Sequence, residues 1–258
     1  MSTQPAAAKR PDPADEQHLY LLPRDKALRA RVKLLGNLLG NVLRSQAGGR
    51  VLLAVETLRR GYIRLHRKDD PRLRSRLTRL IHKLDAETLT HVVRAFNTYF
   101  SLVNIAEEAF QDRERQRTVR QGGPLWTGSF DATLREFKEQ GITAEQLGTL
   151  LQSLCYMPVF TAHPTEAKRR TIMTALRRIF VLSEAMDESR LNKEQREDLT
   201  QQIENHIQIL WKTDEVRVHR PEVIDEIRNG LYFFRESLFR AVPRVYRNLG
   251  SAVIRRFA

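Results

Sequence analysis

The chain has 258 residues, 41% of them apolar, with 44 Lys and Arg against 31 Asp and Glu and a formal net charge of +13. That is enough apolar sequence to bury a sizeable core, so an intrinsically disordered chain is excluded. No run approaches the roughly 18 to 20 apolar residues of a membrane span, and the opening MSTQPAAAKRPDPADEQ lacks the apolar heart of a signal peptide, so a cytoplasmic protein with no membrane partner is expected.

The charge is uneven: residues 1–80 carry 18 Lys and Arg against 7 Asp and Glu. Such a surface could meet nucleic acid or an acidic partner, but the cations alternate with leucines at helical spacing. No helix-turn-helix, zinc-ligand or aromatic-sheet signature accompanies them. A solvated helix face is the simpler reading, with no nucleic-acid partner.

In chain order, residues 1–19 form an Ala- and Pro-rich arm expected to be disordered. Leu28, Val32, Leu35, Leu39 and Val42 then mark one face of a helix, in which Gly36 and Gly40 would let a neighbour approach closely. QAGG at 46–49 ends that helix, a second starts near Val51, and RKDDPR at 67–72 precedes a short third. Asp85 is placed to cap a helix of about 30 residues, whose stripe runs Leu89, Val92, Phe96, Phe100, Val103, Ala106 and Phe110. After the loop GGPLWTGS (122–129), Ser129 or Asp131 could cap the next helix, which runs up to Gly141. Thr143 with Gln146 forms a capping-box pattern. The single Cys155, in LLQSLCYMP, has no partner for an internal disulfide and reads as a small buried apolar residue. Ile172, Leu176, Ile179 and Leu182 define another helix. Leu199, Ile203, His206 and Leu210 define the next, with His206 at the core edge rather than a ligand. A last helical segment carries Ile224, Ile227, Leu231, Phe234, Leu238, Val242, Val245 and Leu249, and Pro243 should kink it.

The fold class is therefore mainly α-helical, with one short strand expected over 157–162. Pro158 and Pro164 bracket that stretch, Val159, Phe160 and Thr161 favour extended backbone, and the proline after His163 disfavours helix at the histidine. A lone strand needs a partner for its backbone groups, which this chain does not supply.

His163 would stand where this extended stretch turns into a helix, with Thr165 as a candidate N-cap and Glu166 in the first turn. Lys168, Arg169 and Arg170 add a positive field suited to phosphate or carboxylate groups. Three readings fit the residues: a proton-transfer group for an anionic substrate, a packed or capping histidine, and a metal ligand acting with Glu166.

VFTAHPTEAKRRT (159–171) resembles the histidine signature of the phosphoenolpyruvate carboxylase family, bacterial type. LWKTDEVRVHRPEVIDEIRNGLYFFRESLFRAVPRVYRNL (210–249) resembles the segment that follows it, and LRARVKLLGNLLGNVLR and RAFNTYFSLVNIAEEA resemble the family's N-terminal helices. The resemblance covers about residues 20–250 in the family's order. It implies a lyase that fixes bicarbonate onto phosphoenolpyruvate, with a divalent cation such as Mg²⁺, to give oxaloacetate and phosphate for the citric-acid cycle. It also implies a catalytic role for His163, an α/β barrel whose first strand would be 157–162, and usually a homotetramer. Asp214 and Arg217, in TDEVR, match a family pattern and join Thr165, Glu166, Lys168, Arg169 and Arg170 as supporting residues. The simpler reading of Asp214 is an ion pair with Arg217 or Arg220.

Members of the family are several-fold longer. The expected layout is an N-terminal helical region over 20–156 and the start of a catalytic barrel region over 157–258, with the metal ligands beyond Ala258 and no metal site in this chain. The alternative is a truncated, inactive helical fragment that serves only for binding or assembly. The isolated chain is expected to lack carboxylase activity.

Overall fold

The computed structural model describes residues 25–122, 125–157, 169–187, 191–214 and 222–257. Ten α-helices run through them: α1 Asp25–Gln46, α2 Gly48–Arg67, α3 Pro71–His82, α4 Ala86–Gln121, α5 Phe130–Glu139, α6 Ala144–Ser153, α7 Arg170–Ala185, α8 Lys193–Lys212, α9 Val223–Phe233 and α10 Phe239–Phe257. A π-helical turn, Phe234–Leu238, joins α9 to α10. The chain divides into two compact units. One draws on residues up to Phe110 and on Leu176–Trp211, the other on Gln111–Ala175 and Lys212–Ala258.

The first unit is an apolar helical core. Leu35, Leu38, Leu39, Val42 and Leu43 of α1 are buried, as are Val51, Ala54, Val55 and Leu58 of α2 and Ile203, Ile207, Leu210 and Trp211 of α8. Burying one such Leu or Ile contributes about 1.5–3 kcal/mol over leaving it exposed. The turn from α1 to α2 passes through Gly48 at φ 83, a left-handed conformation that glycine adopts without a Cβ clash. Arg31 ties α1 to the end of α7, donating to the Ser183 carbonyl at 2.7 Å and pairing with Asp187.

The close approach falls at a glycine other than the two expected. A Cβ on Gly36 would meet Tyr99 at an ordinary 3.5 Å and one on Gly40 would meet Leu52 at 4.0 Å, whereas one on Gly61 would stand 2.6 Å from both Leu77 methyls. Gly61 of α2 is what lets α3 seat Leu77, 1% exposed, against it. At the start of α3, the Asp70 side chain accepts from the Arg72 and Leu73 amides at 3.0 and 3.1 Å, with Pro71 at the first helical position.

Helix α4 runs for 36 residues and is capped as expected: Asp85 accepts the Thr88 amide at 2.8 Å and the Thr88 hydroxyl at 3.0 Å. Its buried face is turned from the expected one. Thr88, Ala95, Thr98, Leu102, Ile105 and Ala109 lie inside with Val92 and Ala106, while Phe100 is 59% exposed. Small residues let neighbouring backbones come close, which a Phe-lined stripe would prevent.

The second unit is smaller. Leu134 of α5, Leu147 of α6 and Ala252 of α10 form its centre, with Phe137, Ile142, Leu151, Leu249, Val253 and Phe257 packed around them. Ser129 caps α5, accepting the Ala132 amide at 3.2 Å, and Thr143 with Gln146 closes a capping box on α6. Asp131 does not cap but bridges. Buried at the start of α5, it accepts from Arg255 at 3.0 Å and Arg256 at 2.6 Å, from the last turn of α10. Arg256 first, then Arg255, holds its carboxyl below the usual carboxylate range. Before Pro243, which cannot donate to the ladder, the π turn offers the Phe239 amide to Phe234, so the distortion lies one turn upstream of the proline.

Two further expectations are corrected. No strand occurs among the described residues, and the strand over 157–162 is not found: Met157 is irregular and 80% exposed, and residues 158–162 lie outside the described residues. The described neighbours are helices whose backbone groups pair internally, so nothing there offers a strand a partner. Cys155 is exposed rather than buried, because α6 ends at Ser153 and the cysteine lies on the open stretch that follows. The arm at 1–19 lies outside the described residues.

Candidate functional site

The site expected from sequence surrounds the start of α7. His163, Thr165, Glu166, Lys168 and Arg217 lie outside the described residues, whereas Arg169, Arg170 and Asp214 lie within them.

The Arg169 carbonyl accepts the Met173 amide at 3.2 Å, which opens α7 directly after it. The helix forms because Ile172 and Ala175, three residues apart, are both buried while Arg170 and Thr171 face water. Arg169 is half-buried. Arg170 lies over Tyr232 of α9, its guanidinium carbon 5.5 Å from the ring centroid, and Tyr232 in turn meets Phe233 edge-on at 5.7 Å. Stacking uses the face of the guanidinium and leaves its N–H donors, which lie in the plane, for an anion. Two cations at a helix N-terminus, one steadied on an aromatic ring, form an anion-attracting end. Asp214 is exposed past the end of α8.

The sequence pattern does not single out Tyr232. Its periodic neighbours Leu231 and Phe234 read as core candidates, and nothing local signals a ring that will meet an arginine of α7.

The other described histidines near aromatic or basic groups are packing residues. The His91 ring stacks on Trp211 at 5.7 Å and 29°, where Arg94 also lies 5.9 Å from the ring and donates to the Trp211 carbonyl at 3.3 Å. His206 is half-buried on α8, and burial, reinforced by Arg178, lowers its pKa from the ordinary 6.5. A half-buried histidine beside Ile203 and Ile207 fits the core-edge position expected of it. Among the described residues, no group of three or more His, Cys, Asp or Glu side chains could hold a metal ion. No helix among them is long and apolar enough to cross a membrane.

Comparison with known proteins gives one consistent result. A family model described as phosphoenolpyruvate carboxylase matches residues 28–258. A phosphoenolpyruvate carboxylase of Roseiflexus castenholzii is 40% identical over 235 residues, covering 88% of this chain and 24% of the relative. One of Rhodothermus marinus is 35% identical over 237 residues, 90% of this chain and 25% of the relative. One of Nitrosomonas europaea is 34% identical over 226 residues, 88% of this chain and 24% of the relative. The chain thus spans about a quarter of the length of the curated relatives it matches.

Proposed function

The chain belongs to the phosphoenolpyruvate carboxylase family, and from that membership we propose that it contributes the histidine-bearing part of an enzyme forming oxaloacetate and inorganic phosphate from phosphoenolpyruvate and bicarbonate. The observation that carries the reading is the match over residues 28–258, a range that includes the His163 segment.

In the proposed reaction a bicarbonate oxygen attacks the phosphorus of phosphoenolpyruvate. The bond from phosphorus to the enol oxygen breaks, leaving carboxyphosphate and the enolate of pyruvate. His163 takes the proton of carboxyphosphate; the C–O bond to phosphate then breaks, releasing CO₂ and inorganic phosphate, and the enolate carbon attacks CO₂ to form oxaloacetate. An imidazole suits this step because its ordinary pKa lies near neutral pH. Arg169 and Arg170, immediately downstream at the start of α7, supply the cationic end that such phosphorylated species require, with Thr165, Glu166 and Lys168 between them and the histidine. Asp214 and Arg217 are proposed as outer supporting residues.

The family's divalent cation, proposed as Mg²⁺, would offset charge on the phosphate and enolate. The described side chains offer no cluster to hold it, so its ligands are not assigned to them. A cytoplasmic homotetramer that replenishes the citric-acid cycle is the assembly and role proposed with this reading.

His163→Asn keeps the size of the side chain and removes the base. In the complete enzyme it is expected to lower oxaloacetate formation by roughly 100-fold or more, measured by coupling to malate dehydrogenase, while bicarbonate-dependent phosphate release persists in part. Oxaloacetate formation at the unaltered rate would return His163 to a structural role.

A further inference from the structure

The hairpin of α2 and α3 encloses an open cavity of about 820 Å³, lined by Arg64, Arg67, Lys68, Arg72, Arg76 and Arg79, with Asp69, Asp70, Pro71 and Leu73 completing its wall. Both carboxylates are committed elsewhere. Asp70 caps α3 through the Arg72 and Leu73 amides, and Asp69 pairs with Arg74 at 2.6 Å, a residue outside the lining. Of the six cationic side chains, Arg79 donates to the Ser75 carbonyl at 3.4 Å. Among the described residues, no ion pair engages Arg64, Arg67, Lys68, Arg72 or Arg76.

The cations come from two helices and gather on one cavity. Arg64 and Arg67 sit in the last turn of α2, where the helix dipole favours positive charge, and need no other explanation. Arg72 is in the first turn of α3, the end that disfavours a cation, and that turn holds no acidic residue. Arg76 follows it one turn later on the same face. All six cationic side chains are exposed, and Gly61 draws α3 onto α2 so that cations from both helices line one open cavity, where a bound anion would offset their mutual repulsion.

We propose that this cavity binds a small polyanion carrying at least two phosphate or carboxylate groups. Its volume falls within the range of small-molecule sites. Five of the six cations are arginines, whose forked donors grip phosphate or carboxylate oxygens two at a time.

The test is calorimetric titration of the purified protein with inorganic tripolyphosphate and, separately, citrate, which distinguishes the two anion chemistries. Saturable binding of at least one is expected at one site per chain, weakening as salt rises. The variant R72Q/R76Q should weaken it roughly tenfold or more, and Arg247→Gln, on α10, should leave it unchanged. The absence of saturable binding by both anions, or equal binding by R72Q/R76Q, overturns the proposal. So does a DNA duplex that binds more tightly than either anion with the same sensitivity to R72Q/R76Q, since the surface then serves a polymer. Thermal unfolding adds an independent reading. Removing cations from the unfavourable end of α3 should leave the midpoint unchanged or raise it, and a lowered midpoint assigns the arginines to stability instead.

Discussion

In α8, Ile203 and Ile207 are fully enclosed and Leu210 and Trp211 nearly so. Between α9 and α10 the same three- and four-residue spacing of apolar side chains continues, yet Ile224, Ile227, Leu231, Phe234, Val242 and Val245 are each between 45% and 52% exposed. Helical period dictates which residues share a face. Whether that face is covered depends on which other elements reach it, and among the described residues none encloses the face of α9. The two regions also differ in how they are held. The first unit rests on interdigitated leucines and isoleucines, whereas the second is tied by a buried carboxylate, Asp131, between two arginines of α10.

The largest effect that tests this contrast is a matched pair of truncations. Ile207→Ala leaves a cavity in the first unit and should cost about 2–5 kcal/mol, while Ile227→Ala on the exposed face should stay within about 0.5 kcal/mol. Urea unfolding can read both, since the two tryptophans report separately: Trp211 lies in the first unit and Trp126 in the second. Equal losses would erase the distinction.

Next comes the Gly61 contact. Gly61→Ala gains about 1 kcal/mol of helix propensity but forces a Cβ onto Leu77, an overpacking worth about 1–3 kcal/mol, so a net loss of up to about 2 kcal/mol is expected. Combined with Leu77→Ala, the glycine substitution should become stabilising, because the clash is gone. Additive losses in the double variant would show that the two helices are not held by this contact.

The smallest effects are in acid response, where the two units should part. The lowered pKa of His206 means that the unfolded chain takes up its proton first. Stability contributed by the neutral imidazole is complete above about 6.5 and declines as pH falls from there toward the folded value. The Asp131 carboxyl, also lowered, contributes stability that is complete well above its usual 3.8 and is lost as pH falls from there through its folded value. Trp211 should therefore report weakening that starts near neutrality, and Trp126 a later one. Asp131→Asn should flatten the acid limb of the second unit and leave the first unit unmoved.

Much of this was legible in the residues, for reasons that differ by feature. Caps are local chemistry, so Asp85, Ser129 and the Thr143–Gln146 box could be assigned from a few neighbouring letters. Which stripe of α4 is buried is a tertiary matter: Phe96 and Phe100 have the period of a core face, but the neighbours demanded small residues, and Ala95 and Ala109 took the inside. The partner of Gly61 and the ring beneath Arg170 were equally out of reach, since each is set by a helix elsewhere in the chain. Residues 157–162 have side chains that favour a strand, but strand formation needs a second chain segment that no local pattern can reveal. For the candidate site, the identity of His163 rested on the order and extent of a family resemblance, not on local chemistry, which left three readings open.

The most direct test of the contrast is segment-resolved hydrogen exchange on the 258-residue chain at neutral pH. Amides of residues 35–43, 102–109 and 203–211 should exchange slowest, and those of 223–246 at least about tenfold faster, since local opening of an uncovered helix buries little to resist it. Protection of 223–246 equal to that of the α8 core would contradict the account.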